Sequence, residues 1–310
     1  MKIQCFSCQI SDSDQNIRHG YHAECSKKLF GDKIPPKVPF STPDILSESL
    51  KMVGKMSVSG VQPKLSAVHN RKKRQLVVVK RGGLYILKPQ TDLFLCLPEN
   101  ENLCMCIASV CGIDVPSHGL LPLTDNRFAY VVKRFDRTEG GFKFEQEDFQ
   151  QLLDIRDKYD GSYERIANFI KKNSDDPGAD LMKLYERALL FFILGNGDAH
   201  LKNFSLIRTR EAGYHLSPAY DIVSSKLVLP DEREETCLSL QGKRNRISKK
   251  DFIRLSAHFG LDREQTDSVL SRLNRLKSEI EMMIQKSFLP EQLKTKILEI
   301  FGERMKRLFG

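Results

Sequence analysis

Hydrophobic and polar positions follow two different rhythms along the chain. Between 57 and 135, short β-branched and aromatic runs recur at 77–79, at 85–87 and across 127–135 (Arg-Phe-Ala-Tyr-Val-Val-Lys-Arg-Phe). Runs of this composition bounded by small or polar residues predict strands. Two strands joined by a Gly-containing turn are expected here, with Arg81, Gly82 and Gly83 turning a second hairpin. One helical stretch interrupts them, 98–110: apolar positions 103, 107 and 110 recur at helical spacing, Pro98 stands near its start, and Cys111-Gly112 ends it.

Beyond 140 the helical period takes over. Segments 145–155 and 163–171 are amphipathic, and Asp175-Asp-Pro-Gly178 reads as a loop. Segment 180–195 contains Leu-Leu-Phe-Phe-Ile-Leu, apolar nearly all round, which predicts a central buried helix. A hairpin is expected from 204–208 and 214–216. Three helices should follow at 249–259 (between Ser248 and Gly260), 262–286 and 291–308. The class is α+β: a small mixed lobe followed by a mainly helical one.

At 310 residues the chain suits two domains or one bilobal one. The expected divisions are a Cys/His-containing segment at 1–34, a linker at 35–54 around Pro35-Pro-Lys-Val-Pro39, a lobe at 55–137 and a helical lobe at 138–310. No apolar run approaches the ~20 residues of a membrane span, and Met1-Lys-Ile-Gln-Cys5 lacks the apolar core of a signal peptide. The expected compartment is therefore cytoplasmic, without membrane contact. Eight cysteines without a disulfide framework fit a reducing environment, and Cys104, Cys106 and Cys111 read as small buried hydrophobes. Of the net charge of +9, +7 falls in residues 243–310, where sixteen Lys and Arg face nine Asp and Glu. A basic face could meet a nucleic acid or an acidic protein. These charges are interspersed, so a solvated helical surface is expected and direct nucleic-acid binding is not.

Two stretches carry chemistry. Cys5-x₂-Cys8 and His22-x₂-Cys25, thirteen residues apart, have the ligand types and spacing of a Cys₃His zinc site, although no acid or further His backs it up in sequence. The same four residues would also suit a reduced, metal-free protein. The second stretch is Gly195-Asn-Gly-Asp-Ala-His-Leu-Lys-Asn203, followed by Tyr220-Asp221. Phosphoryl transfer needs one carboxylate to orient and deprotonate a hydroxyl, and an amide oxygen and a second carboxylate to hold Mg²⁺ against phosphates. Asp198, Asn203 and Asp221 fit those roles, while Gly195 to Asp198 alone would equally make a helix-ending turn. Lys88 ends the Tyr85-Ile-Leu-Lys run, where a kinase lysine reaches the nucleotide phosphates, and Glu101 could pair with it. Asp136-Arg137 reads as a hinge, with exposed backbone for an adenine and Phe135 to stack on it.

Taken together these motifs resemble the HipA family of bacterial serine/threonine kinases, the toxins of toxin–antitoxin modules, over roughly 55–310. Ser57-x-x-Gly60-x-Gln62-x-Lys64 is similar to the family's Gly-rich loop, Tyr85-Ile-Leu-Lys88-Pro to its nucleotide lysine, and Lys133-Arg134-Phe135-Asp136-Arg137 to its hinge. Gly197-Asp-Ala-His-Leu-Lys-Asn203 with Ala219-Tyr-Asp221 is similar to its catalytic loop and metal acid. The resemblance implies ATP and Mg²⁺ as cofactors, Asp198 as the catalytic residue and Asn203 and Asp221 as metal ligands. It implies nucleotide contacts from Ser59, Gly60, Lys64, Lys88, Arg134, Phe135, His200 and Lys202. It also implies autophosphorylation at Ser57, with Ser59 a second acceptor, ejecting the loop and stopping ATP binding. Only 56 residues precede the Gly-rich loop, and Cys5 to Gly31 matches the start of the short HipT toxins. Lys133 stands where the long HipA form has an acid. Implied partners are an aminoacyl-tRNA synthetase as substrate (glutamyl for long HipA, tryptophanyl for HipT), a small HipS-like antitoxin and a DNA-binding HipB-like protein. Lipid or small-molecule kinases share the Gly-Asp-x-His-x-x-Asn loop and remain an alternative. So does a non-catalytic module binding zinc and nucleic acid.

Overall fold

The structure is a computed structural model that describes residues 2–45, 47, 62–209, 213–229 and 231–310. It divides into two compact units, Met1–Cys106 with Pro116–Lys143, and Ile107–Val115 with Phe144–Gly310.

The first unit is built on an antiparallel five-stranded sheet. Its strands lie in the order Gln75–Val78, Leu65–Asn70, Tyr85–Pro89, Phe128–Lys133 and His118–Pro122. The β-branched and aromatic run at 127–135 is thus a strand, next to the edge of the sheet. Arg81 to Gly83 does not turn a hairpin as expected. The strands on either side of it each pair with Leu65–Asn70 and not with one another. The reason is local: Gly83 N–H donates to Ser66 Oγ (2.9 Å), and the glycine passes so close to the backbone of Ala67 that no side chain would fit. The N-terminal segment contributes two small hairpins and the helix Ala23–Phe30, which ends at Gly31 in the left-handed conformation (φ 71°). It has no core of its own. Cys5, Ile17, Tyr21, Leu29 and Phe30 join Leu65, Ala67, Tyr85, Leu87 and Val131 in one buried cluster. The proline-rich 35–39 is likewise more than a spacer: Lys37 bridges Gln75 at the sheet edge, and Val38 is buried.

The second unit is helical around Pro177–Ile193. Asp176 caps this helix by accepting from Ala179 N–H, Pro177 occupies its first turn, and eleven of its residues are buried. Helices Tyr163–Asn173, Lys249–Phe259 and Glu291–Phe309 pack on it. The amphipathic 145–155 is not one helix: Glu145–Asp148 pairs antiparallel with Ser205–Thr209, and only Phe149–Leu152 is helical. Asp148 decides the change, because its carboxylate caps Gln151 N–H and so starts a helix there. Gly213–Leu216 completes a three-stranded sheet. The expected helix at 262–286 divides at Leu276 into Arg263–Arg275 and Lys277–Gln285, a break that no Gly or Pro marks. No helix among the described residues is long and apolar enough to cross a membrane.

Adjacent glycines separate two costs. A Cβ on Gly83 would lie 2.5 Å from both the N and O of Ala67, whereas Gly82 faces open space but has φ +81°. Urea unfolding of Gly83→Ala should show a loss of about 2–3 kcal/mol from overpacking. Gly82→Ala should lose about 1 kcal/mol from the left-handed backbone alone. Equal losses would contradict this register.

Candidate active site

Each unit contributes its own constellation. In the first, the ladder of Tyr85–Pro89 sets Lys88 opposite Tyr130, with the ammonium 5.4 Å from that ring's centre. Helix Leu97–Val110 brings Glu101 to it: Lys88 Nζ donates to Glu101 Oε1 at 2.6 Å, with the two side chains 5% and 3% exposed. The expected pair therefore forms, and it forms almost without water. Glu99, two residues before it, was not singled out from sequence; burial pushes its carboxyl up to about 7, and its Oε2 has no partner.

The rest of the predicted nucleotide set in this unit is distributed unevenly. Ser57, Ser59 and Gly60 lie outside the described residues. Just after them, Gln62 Nε2 donates to Pro89 O (2.9 Å), beside Lys88, and Lys64 is exposed. Arg134 closes a two-pronged contact on Asp136 (2.7 and 2.5 Å), and Arg137 adds a third charge contact at 3.5 Å. Burial opposes ionisation of Asp136, yet these two arginines hold its carboxyl below the usual range. The guanidinium of Arg134 is thus committed to a neighbouring acid, and Phe135 beside it is half-buried.

In the second unit the central helix ends at Gly195, whose φ of 66° lets the chain turn back against Ile300. Gly197 donates its N–H to Ser225 Oγ (2.7 Å), and a Cβ there would run into the Glu232 carboxylate. Both glycines are thus set by close approach. Asp198 follows, exposed, with its carbonyl accepting from His200 N–H (2.8 Å). A one-turn 3₁₀ helix, Leu201–Asn203, places Asn203 so that its Oδ1 accepts from His200 N–H (3.0 Å). Asp221 sits in the left-handed region (φ 57°), a conformation that Asp tolerates better than most residues. Tyr220 anchors it: its hydroxyl donates to Lys202 O (2.9 Å) and meets Ser205 Oγ. Ala219 N–H is held by Asp114 O (2.8 Å).

His200 is itself buried in this turn. Burial lowers its pKa, while the charges of Asp198 and Asp221 both oppose that shift. The buried Nδ1 of its imidazole has no hydrogen-bond partner. Tyr159, which the sequence reading missed, stacks edge-on against His200 at 5.5 Å. Burial, then the charge of Asp198 and a hydrogen bond to it, push the Tyr159 phenol up to about 12. Lys202 forms an ion pair with Asp148 at 3.1 Å, so its ammonium has a partner within the protein. Asn196 was also missed: it is buried, with neither side-chain polar atom hydrogen-bonded. No sequence signal marks Tyr159, since it lies 39 positions ahead of Asp198. The carboxylates of Asp198 and Asp221 and the carboxamide of Asn203 are oxygen donors, the chemistry a hard cation such as Mg²⁺ takes.

A third constellation lies in the N-terminal segment. Ligand atoms of Cys5, Cys8, His22 and Cys25 all fall within 4.8 Å of one another. Contrary to the sequence reading, an acid does stand behind them: Asp12 Oδ2 is 3.7 Å from His22 Nε2.

Comparison with known proteins gives this arrangement a family. The sequence profile of the HipA-like C-terminal domain matches residues 56–280. The chain belongs to that family. It is 30% identical over 316 residues to the Haemophilus influenzae protein named "Putative kinase", covering 92% of each. It is 29% identical over 193 residues to the "Serine/threonine-protein kinase toxin HipA" of Shewanella oneidensis, covering 55% of this chain and 43% of that one. Among solved structures, Shewanella oneidensis HipA, in a complex with HipB and operator DNA, superposes with a TM-score of 0.67. It does so at 24% identity, over 82% of this chain and 64% of that one. The fold is accordingly the α+β, kinase-like fold of HipA, and the chain spans less than two thirds of HipA's length.

The Lys88–Glu101 pair yields a stability prediction for this family member. Lys88→Met or Glu101→Leu alone strands a buried charge and should cost about 3–5 kcal/mol in urea unfolding. The double variant, which leaves no charge behind, should recover most of that loss. Single variants that unfold like wild type would show that the pair is solvated.

Proposed function

We propose that this chain is an ATP- and Mg²⁺-dependent serine/threonine protein kinase and the toxin of a toxin–antitoxin module, of the short HipT form. The observation that carries the reading is the buried Lys88–Glu101 pair. A buried ion pair is a poor device for stability, whereas a kinase requires a strand lysine held by a helix glutamate to meet nucleotide phosphates. In this reading residues 55–137 form the nucleotide lobe and 138–310 the helical lobe. Asp198 orients the acceptor hydroxyl and takes its proton. Asn203 and Asp221 hold Mg²⁺, which when bound neutralises charge on the phosphates. Lys88 meets the phosphates, with His200 and Lys202 in support. Ser59, Gly60 and Lys64 cover the nucleotide, and Arg134 with Phe135 borders the adenine.

Family membership supports kinase chemistry, since relatives carry kinase names. The proposed acceptor is an aminoacyl-tRNA synthetase, tryptophanyl or glutamyl, whose phosphorylation would stop translation. Ser57 and Ser59 are the proposed autophosphorylation sites; a phosphoserine of nearly two negative charges repels ATP phosphates from the same loop. By analogy with the HipA–HipB complex, a HipB-like DNA-binding protein and a small HipS-like antitoxin are the proposed partners. Contact with DNA is then left to the HipB-like partner.

Intact-mass measurement with peptide mapping of wild type and Asp198→Asn tests this reading. Phosphate on Ser57 or Ser59 in the wild type only, with labelling of a synthetase in lysate, is the expected result. An unmodified wild type that labels no protein would overturn it, and turnover of a lipid or small-molecule acceptor would establish the alternative.

A further inference from the structure

The Cys/His cluster has no part in the phosphoryl-transfer reading, yet its geometry is that of a built site. A tetrahedral zinc with bonds of ~2.3 Å to sulfur and ~2.0 Å to nitrogen separates its S and N ligand atoms by roughly 3.5 Å. His22 Nδ1 lies 3.4 Å from Cys8 Sγ and 3.8 Å from Cys25 Sγ. The opposite ring nitrogen, Nε2, faces Asp12 at 3.7 Å, the carboxylate–histidine arrangement that orients an imidazole toward a metal. Cys5 N–H donates to Ile10 O (3.1 Å) and Gln9 N–H to Cys5 O (3.0 Å), closing the loop that carries Cys5 and Cys8. Gln9, at φ 61°, lies in the left-handed region at the turn of that loop.

That loop is also docked. Leu120 N–H and Asn102 Nδ2 both donate to Phe6 O (2.9 and 3.2 Å), Cys106 Sγ donates to Ser7 O (3.0 Å), and Ser7 Oγ donates to His118 O (2.7 Å). Asn102 and Cys106 sit on helix Leu97–Val110, the helix of Glu101. Gly119 permits the approach, since a Cβ there would meet Tyr21 Oη at 2.7 Å and Phe6 O at 3.3 Å.

We propose that Cys5, Cys8, His22 and Cys25 bind one structural Zn²⁺, with Asp12 orienting His22, and that this ion fixes the loop on which the Glu101 helix rests. Four protein ligands leave no open position, so the ion is structural and not catalytic. Three sulfurs and one imidazole select zinc over Mg²⁺ or Ca²⁺. The site stands whether or not the chain is a kinase.

Metal analysis of the full chain, grown with zinc in the medium, is the test, joined to release of metal to a chromogenic chelator and to hydrogen exchange. About one zinc per chain is expected. Cys25→Ser should lose it, and Asp12→Asn should keep it but release it about tenfold faster. Stripping the wild type should speed amide exchange in Leu97–Val110 and at Leu120. Wild type carrying less than about a tenth of an equivalent, or iron in place of zinc, would overturn the proposal. So would zinc that Cys25→Ser retains. If Cys25→Ser fails to fold, the wild-type metal count and the Asp12→Asn release rate decide. Exchange in the helix unchanged by stripping would refute the positioning role.

Discussion

A lysine and a glutamate buried together set the terms for the first unit. Neither Lys88 nor Glu101 could occupy its site alone, because an isolated charge out of water costs several kcal/mol. At 2.6 Å each makes the other tolerable. This forces a register: Tyr85–Pro89 must present residue 88 where Leu97–Val110 presents residue 101. The ladder to Phe128–Lys133 fixes the strand, and the contacts of Asn102 and Cys106 to the Cys5–Cys8 loop fix the helix. The N-terminal segment therefore belongs to the same mechanical argument as the ion pair, although the two are far apart in sequence.

The second unit solves a different problem, that of turning its backbone tightly on either side of Asp198. Gly195, Gly197 and Asp221 share a constraint, since each sits where backbone conformation or a close neighbour excludes most side chains. His200 N–H bridges the carbonyl of Asp198 and the amide oxygen of Asn203, so one backbone donor ties residues 198 and 203 into a single turn. Burial lowers the pKa of its imidazole, against the opposing charges of Asp198 and Asp221.

Much of this was legible in the sequence where the signal was local. The strand at 127–135 and the helices at 163–171 and 249–259 declared themselves through period and residue type. Signals that depend on distant partners did not. Glu145–Asp148 reads as helix until Ser205–Thr209 arrives to pair with it, and Arg81 to Gly83 reads as a hairpin until Leu65–Asn70 comes between its arms. Tyr159, Asn196 and Asp12 carry no motif; only folding places them against His200, in the buried turn and behind His22. Pairing of Lys88 with Glu101 was a suggestion of sequence and became a geometry.

Calorimetric titration with a non-hydrolysable ATP analogue tests the central claim most directly, using wild type, Lys88→Met and Asp221→Asn with and without Mg²⁺. The account predicts binding to the wild type that weakens at least about tenfold without Mg²⁺, a loss of about 1.4 kcal/mol. It predicts weak binding by Lys88→Met at either condition, and binding by Asp221→Asn that no longer responds to the metal. Equal affinity in all three proteins, indifferent to Mg²⁺, would contradict it.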